Sequence, residues 1–271
     1  MTDETDDGRM AAGYERFWAP VLAPSAVALL AWLDQDVEDG ASHLLDIGVG
    51  TGNLTRPALR RWPAVRVTGI DAAHEMVVAT EAFVAAEPAS RGRFVGQTAV
   101  AADLPYEDHS FDAAMSSFVL QLVPSRPKAL REIHRVLRPG ARFAYVTWLA
   151  DDRPFAPDRI FDALLDEFGY DEEEDRPRTG DLPSVERAAA ELRRAGFRDV
   201  AASAATLDHP FTVDGYIAFL TDFDEETLFE EMGRTDRRRF LLRLRERLMA
   251  LPPDALHFRV PIVYAAGRRS R

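Results

Sequence analysis

From His43 onward, short apolar blocks alternate with stretches of helical spacing. "HLLDI" (43–47), "VRVTGI" (65–70), "GRFVGQ" (92–97), "FDAAMSSFVL" (111–120, with its outgoing loop) and "RFAYVTW" (142–148) read as strands. "TRPALRRW", "HEMVVATEAFVAA" and "RPKALREIHRVL" between them read as helices, the last closed by Pro139-Gly140. Strands apolar on both faces that alternate with helices predict a parallel sheet covered on both sides, a doubly wound α/β core. Ahead of this core, "YERFWAPVLAPSAVALLAWL" predicts two short helices broken by Pro20 and Pro24. After Trp148 the rhythm changes. A helix, an acidic proline-bearing loop that includes the run Asp171 to Asp175, and the amphipathic helix "SVERAAAELRRAGF" lead to a strand, "RDVAASAAT". Residues 212–250 read as helical and "FRVPIVYAAG" as a last strand.

Composition narrows the function. With 271 residues, 46% hydrophobic and 29% charged, the chain is an ordinary globular one. Its net charge of -12 argues against the broad basic face that nucleic acids require, and acids lie close to the arginine cluster "GRTDRRRFLLRLRERL". There is no cysteine, which excludes disulfides, thiolate nucleophiles and Cys-ligated metals. The six histidines form no H-x-x-x-H pair, so no metal is expected. The acidic start "MTDETDDGRM" is unlike a targeting peptide, and no apolar run approaches the ~18 residues of a membrane span. A cytoplasmic protein without a membrane span is expected.

The candidate chemistry sits after the first strand, in "HLLDIGVGTGNLT". Gly48, Gly50 and Gly52 bring backbone close to a ligand, but in G-x-G-x-G spacing rather than the G-x-G-x-x-G of a dinucleotide loop. Asp46, two residues before the first glycine, would repel a phosphate and favour a cation. Asp71 ends the second strand, where an acid accepts hydrogen bonds from ribose hydroxyls. A nucleoside with a cationic centre and no phosphate describes S-adenosylmethionine. The bland alternative for both acids is a turn or helix-cap carboxylate.

"LLDIGVGTGNLT", "GIDAAHEMV", "ADLPYEDHSFDAAMSSFVLQLV" and "EIHRVLRPGARFAYVTW" together resemble the class I S-adenosylmethionine-dependent methyltransferases, in the branch that resembles the ubiquinone/menaquinone-biosynthesis and other small-molecule enzymes. The likeness covers about residues 43 to 148. It implies a Rossmann-like, mostly parallel seven-stranded sheet with helical lid insertions. Under that reading residues 1–8 are a disordered acidic tail and 9–271 one domain. Residues 9–40 form an N-terminal helical lid, 41–150 the cofactor-binding core, and 151–183 with 206–256 the acceptor-side insertions, while 184–205 and 257–267 return to the sheet.

The resemblance also assigns residues. Asp46, Gly48, Gly50, Gly52 and Asn53 face the methionine part of the cofactor, Asp71 binds the ribose, and Ala72 and Met76 line adenine and ribose. The loop around Ser117 closes the pocket. The family's adenine-recognising Asp-Ala pair falls on Val100-Ala101, so Ala101 offers its N–H and Asp103 stands in for the missing acid if the loop is reshaped. Tyr14, Phe17, Trp18, Gln121, Trp148, His209 and Phe211 are acceptor-side candidates, with the aromatic stripe 14–18 equally readable as core. No His-Asp pair declares itself as a general base; His134 reads as exposed or capping, and His74 as the opening of the helix after Asp71. The function expected is methyl transfer to a small apolar or aromatic acceptor. A non-catalytic S-adenosylmethionine- or S-adenosylhomocysteine-binding partner or sensor would share the whole cofactor site. An NAD(P)-dependent oxidoreductase would share the sheet and Asp71, but needs a fingerprint and a Tyr-x-x-x-Lys pair that are missing.

Overall fold

The structure, a computed structural model, describes residues 3–170 and 180–270. The acidic run from Asp171 to Asp175, read above as a solvated loop, lies outside the described residues. Two compact units emerge where one domain was expected: Met1–Ala150 with Gly180–Ala205 and Pro261–Arg271, and Asp151–Thr179 with Thr206–Val260.

The first unit is built on a seven-stranded sheet: β1 (His43–Ile47), β2 (Arg66–Asp71), β3 (Phe94–Thr98), β4 (Phe111–Ser117), β5 (Leu137–Trp148), β6 (Phe197–Pro210) and β7 (His257–Arg269), in the order β3-β2-β1-β4-β5-β7-β6. The first five strands pair in parallel, and β7 pairs antiparallel with β5, from Trp148↔Ile262 to Arg142↔Arg268. The core strands carry apolar residues on both faces because helices cover both. Leu45, Ile47, Ala114, Phe143, Tyr145 and Val263 are buried together with Leu130 and Ile133 of the helix before β5.

Among the described residues, seven α-helices belong to this unit: α1 (Asp3–Gly13), α2 (Ala19–Leu30), α3 (Asp34–Glu38), α4 (Thr55–Arg61), α5 (His74–Ala86), α6 (Arg126–Val136) and α8 (Val185–Arg194), with a π-helical turn at Tyr14–Trp18 between the first two, while α7 (Ala156–Phe168) belongs to the second unit. Two expectations are corrected at the N-terminus. The tail read as disordered is helical from Asp3. The chain also runs through Pro24 as helix; the irregular turn lies upstream at Tyr14–Trp18, and Pro20 occupies the first turn, where its missing N–H is not needed. Residues 19–38 form a covering layer of the sheet. The Tyr264 hydroxyl of β7 donates to the Ser25 carbonyl at 3.0 Å, and buried Asp36 receives Arg142 Nε at 2.7 Å and Arg268 Nη1 at 2.6 Å.

The second unit is helical: α7, then α9 (Val213–Phe219), α10 (Glu226–Glu231) and α11 (Arg234–Met249). Its centre is aromatic. Phe240 meets the rings of Phe161, Phe168 and Phe229 at 5.3–5.7 Å, and the buried Tyr216 hydroxyl donates to Asp158 at 2.6 Å. Among the described residues no helix is long and apolar enough to cross a membrane.

Candidate active site

The strand order reverses between β1 and β4, and the loops leaving their carboxyl ends line the crevice where open α/β sheets take ligands. The loop after β1 turns on three glycines in left-handed backbone, with φ of +71° at Gly48, +54° at Gly50 and +93° at Gly52. Gly48 and Gly50 are glycine for different reasons. A Cβ on Gly48 would stand 2.1 Å from Cγ2 of Val119 in the loop after β4, so close packing requires the glycine. At Gly50 the nearest heavy atom to such a Cβ is Cε1 of Tyr14 at 3.8 Å, so the missing side chain leaves a recess.

Two carboxylates flank this loop. Asp71 accepts the Gly50 N–H at 2.9 Å through Oδ2 and the Ala73 N–H at 3.1 Å through Oδ1. Burial lifts its pKa above the ordinary value, against the lowering effect of those backbone donors. Asp46 is deeper, at 1% exposure. Its Oδ2 accepts the Thr55 hydroxyl at 2.7 Å, while Oδ1 is buried with no hydrogen-bond partner. Burial pushes its pKa from 3.8 up to about 7; the Thr55 hydroxyl opposes the rise and the charge of Asp71 adds to it.

The N-terminal segment reaches the same loop. Glu15 accepts the Thr51 hydroxyl at 2.6 Å and Arg56 Nη1 at 2.7 Å, and Asn53 Nδ2 donates to the Ala19 carbonyl at 3.1 Å. Tyr14, an acceptor-side candidate in the sequence, therefore stands against the glycine loop; burial, then the charges of Asp71 and Glu15, push its phenol up to about 12. Glu15, Thr55 and Thr80, whose hydroxyl donates to the Gly50 carbonyl at 2.7 Å, were not found by sequence reasoning. Only Thr55 had a signal there, as the last residue of the glycine stretch.

On the other side of the loop an aromatic wall forms. Phe118 follows β4 with φ of +55°, a left-handed conformation that costs a bulky residue about 1–3 kcal/mol. It turns its ring to 4.4 Å from that of Trp148, and Trp18 lies 6.4 Å from Trp148. Gln121 is held at both ends of its amide: Nε2 donates to the Phe118 carbonyl at 2.7 Å and Oε1 accepts the Thr147 hydroxyl at 2.6 Å. Trp18, Gln121 and Trp148 thus come together, while the Phe17 ring receives Arg16 at 4.5 Å.

The remaining candidates are placed as follows. Ala72 is exposed, Met76 half-buried, and Ser117 half-buried at the end of β4. Ala101 is buried, and exposed Asp103 donates its N–H to the Val100 carbonyl at 3.0 Å, so a tight turn brings that acid close to the position of the missing one. His209 and Phe211 belong to the second unit, where His209 meets the Phe211 ring at 4.8 Å and Phe211 packs with Phe155, Tyr216 and Phe219. His74 Nδ1 lies 3.0 Å from the Thr98 hydroxyl. His134 is neither exposed nor a cap: it packs edge-on against Phe197 at 5.1 Å beneath Gly196, because the helix end it occupies is covered by β6.

Comparison with known proteins places this geometry. A family model described as a methyltransferase domain matches residues 45–145. The ubiquinone/menaquinone biosynthesis C-methyltransferase UbiE of Paracoccus denitrificans is 32% identical over 203 residues, which cover 69% of this chain and 75% of that protein. The enzyme of the same name from Geotalea daltonii is 39% identical over 101 residues, 37% of this chain and 43% of that one, so the match spans less than half of this second relative. The phosphoethanolamine N-methyltransferase 2 of Haemonchus contortus, solved with S-adenosyl-L-methionine, shares the fold with a TM-score of 0.54 and 18% identity over 92% of this chain and 53% of its own.

The residues present fit S-adenosylmethionine. A buried carboxylate oxygen without a partner is costly in the absence of a donor or cation, and a cationic cofactor beside Asp46 supplies both. The recess at Gly50 gives backbone room for such a ligand.

Two outcomes follow from this geometry. Gly48→Ala is expected to destabilise the first unit by several kcal/mol, the range of strongly overpacked sites, and Gly50→Ala by about 1–2 kcal/mol from backbone strain alone; chemical denaturation giving equal losses would remove the packing argument. For Asp46, the raised folded pKa means that the folded state keeps a proton that the unfolded chain releases, so this contribution is complete below about pH 4 and is lost as pH rises towards 7. Asp46→Asn, neutral at every pH, is expected to melt higher than the parent at pH 8, by a margin that shrinks as pH falls towards 4, while binding S-adenosylmethionine more weakly at pH 8. A melting temperature at pH 8 equal to or below the parent's would show that the ionised form is well accommodated without cofactor.

Proposed function

Because the chain belongs to the class I S-adenosylmethionine-dependent methyltransferases, in the branch resembling the ubiquinone/menaquinone C-methyltransferases, we propose that it methylates a ring carbon of a small, electron-rich aromatic acceptor. The observation that carries the cofactor half is a buried carboxylate, Asp46, and a half-buried one, Asp71, around a loop without a phosphate fingerprint, the buried one with an unpartnered oxygen. Two supports carry the acceptor half. The relatives' own name is C-methyltransferase, and the rings of Phe118, Trp18 and Trp148 form an apolar wall beside the cofactor loop, to which Val119 connects them by its contact with Gly48.

Each residue then has a task. Asp46 holds negative charge beside the cationic end of the cofactor, and the recess at Gly50 admits its backbone. Asp71 has two oxygens and, after accepting from Gly50 and Ala73, retains acceptor capacity for ribose hydroxyls. Ala101 and Asp103 serve the adenine. When bound, S-adenosylmethionine supplies a methyl carbon made electrophilic by its sulfonium. The protein's remaining work is alignment and exclusion of water, which the aromatic wall performs by stacking on a flat acceptor. Gln121, fixed at both ends of its amide, is the polar group that orients the acceptor within that wall.

The test is direct. The chain is incubated with S-adenosylmethionine carrying a 13C-labelled methyl and a panel of hydroxylated naphthalenes, phenols and aliphatic amines. Product NMR is expected to place the label on a ring carbon of a hydroxylated aromatic; label found only on oxygen or nitrogen overturns carbon transfer, and tight cofactor binding with no turnover of any acceptor supports the binding-partner reading instead. Asp71→Ala is expected to weaken S-adenosylhomocysteine binding by about 2–4 kcal/mol, roughly 30- to 1000-fold, without unfolding the domain. Trp148→Ala is expected to raise acceptor KM or lower kcat by about tenfold with cofactor affinity within a factor of three, since the loss of one aromatic contact falls on the acceptor. Calorimetry that reverses this division would move Trp148 to the cofactor.

A further inference from the structure

We infer that the outer face of α11 is a docking surface for an anionic phospholipid bilayer. The inference stands apart from the choice of acceptor and concerns only the second unit.

The helix carries seven arginines against two acids, Asp236 and Glu246, in a chain whose net charge is -12. Its inner side is accounted for: Phe240, Leu244 and Leu248 are buried. Its outer side is not. Arg234, Arg238, Leu241, Leu242, Arg245 and Met249 follow one another at spacings of three, four or one residue along a single stripe, about 22 Å long at the rise of an α-helix. Of the two acids, Asp236 lies off the stripe, and exposed Glu246 borders it four residues after Leu242. Leu242 and Met249 are 60% and 70% exposed, among the most open large apolar side chains of the described residues. Arg234, Arg237, Arg238, Leu241, Leu242 and Arg245 also line one shallow depression. Arg245 pairs with Asp214, and Arg237 leans over the Phe229 ring at 5.8 Å, whereas Arg234 and Arg238 have no acidic partner among the described residues.

This pattern of exposed leucine and methionine between arginines has a specific use at a membrane interface. The apolar side chains enter the boundary between headgroups and acyl chains, and the arginine stems lie along it with their guanidinium groups at the phosphates. Charge selects the occupant. A second copy of the chain docking through the same face would set arginine stripes against each other, which a two-fold contact cannot avoid. A bilayer bearing anionic lipid complements the stripe and repels the rest of an acidic protein, so it also fixes the orientation of approach.

The experiment uses the full chain and flotation with vesicles of pure phosphatidylcholine or of phosphatidylcholine with 30% phosphatidylglycerol, at low and high salt. Binding to the anionic vesicles alone is expected, and Arg234→Glu with Arg238→Glu is expected to reduce partitioning by tenfold or more. Leu242→Ser with Met249→Ser is expected to leave low-salt binding partly intact and to abolish what survives high salt. Unchanged melting and unchanged S-adenosylhomocysteine affinity would show that these exposed substitutions leave the fold whole. The proposal is overturned by equal binding to neutral and anionic vesicles, by no binding to either, or by binding that the arginine reversals do not change. It is equally overturned if the wild-type chain self-associates in sedimentation and the same reversals make it monomeric without any effect on vesicles.

Discussion

The molecule depends on a carboxylate that is poorly placed for its own stability. Asp46 lies at the centre of the sheet's carboxyl edge, with one oxygen on Thr55 and the other facing no donor. A leucine or asparagine there would suit the core better. The chain keeps an acid at that depth, and arranges around it a loop of left-handed glycines, a second acid at the end of β2 and an aromatic turn after β4. Gly48 has a packing reason in Val119 and Asp71 has backbone partners in Gly50 and Ala73, whereas the free oxygen of Asp46 has no partner within the protein. Here a local rule of good packing is broken at the carboxyl edge of the sheet, where open α/β folds take their ligands.

The loop is also held from outside the α/β core. Glu15 joins Thr51 to Arg56, Asn53 reaches the carbonyl of Ala19, and Tyr14 stands at the recess of Gly50. The N-terminal segment thus plays two parts. Residues 19–38 act as a structural layer anchored through Ser25 and Asp36, and the π-helical turn before them presents side chains to the cofactor loop. A π-helical turn, closed by i→i+5 bonds, holds more residues than an α-helical one and so shifts the face on which successive side chains fall, with Tyr14 and Glu15 towards the glycine loop and Trp18 towards Trp148.

Much of this was legible in the chain itself. Strands β1, β4, β5 and β7 follow from apolar blocks between helical stretches, because their burial leaves few polar residues to confuse the period, while the more exposed β3 and β6 follow from their place in the alternation. The loop of left-handed glycines between Asp46 and Asp71 was readable because a tight turn and a strand-end acid need particular residue types at short spacing. Glu15 was not, since it acts through Thr51 and Arg56, 36 and 41 residues away, and no local pattern records such a partner. His134 was misread for a related reason: a helix-end histidine looks solvated until a strand more than 60 residues later packs over it. The helix at 3–13 was missed because an acidic, polar composition is compatible with both a helix start and a tail. The division into two units shows only in the loss of α/β rhythm after Trp148, which marks where the second unit begins without saying that it has its own aromatic centre.

One feature of the sheet governs how the molecule is made. The last strand in the chain, β7, occupies an interior place between β5 and β6 and is antiparallel to β5. During synthesis the first five strands can assemble in order as they emerge, but β6 has no neighbour to join until β7 has been made and has slid in beside β5. Until then β5 is an open edge ending in Tyr145, Val146 and Trp148, a run suited to pairing with a strand of another molecule. The completed sheet therefore exists only after β7 has been made, and until then the edge of β5 stands open to a strand from another molecule.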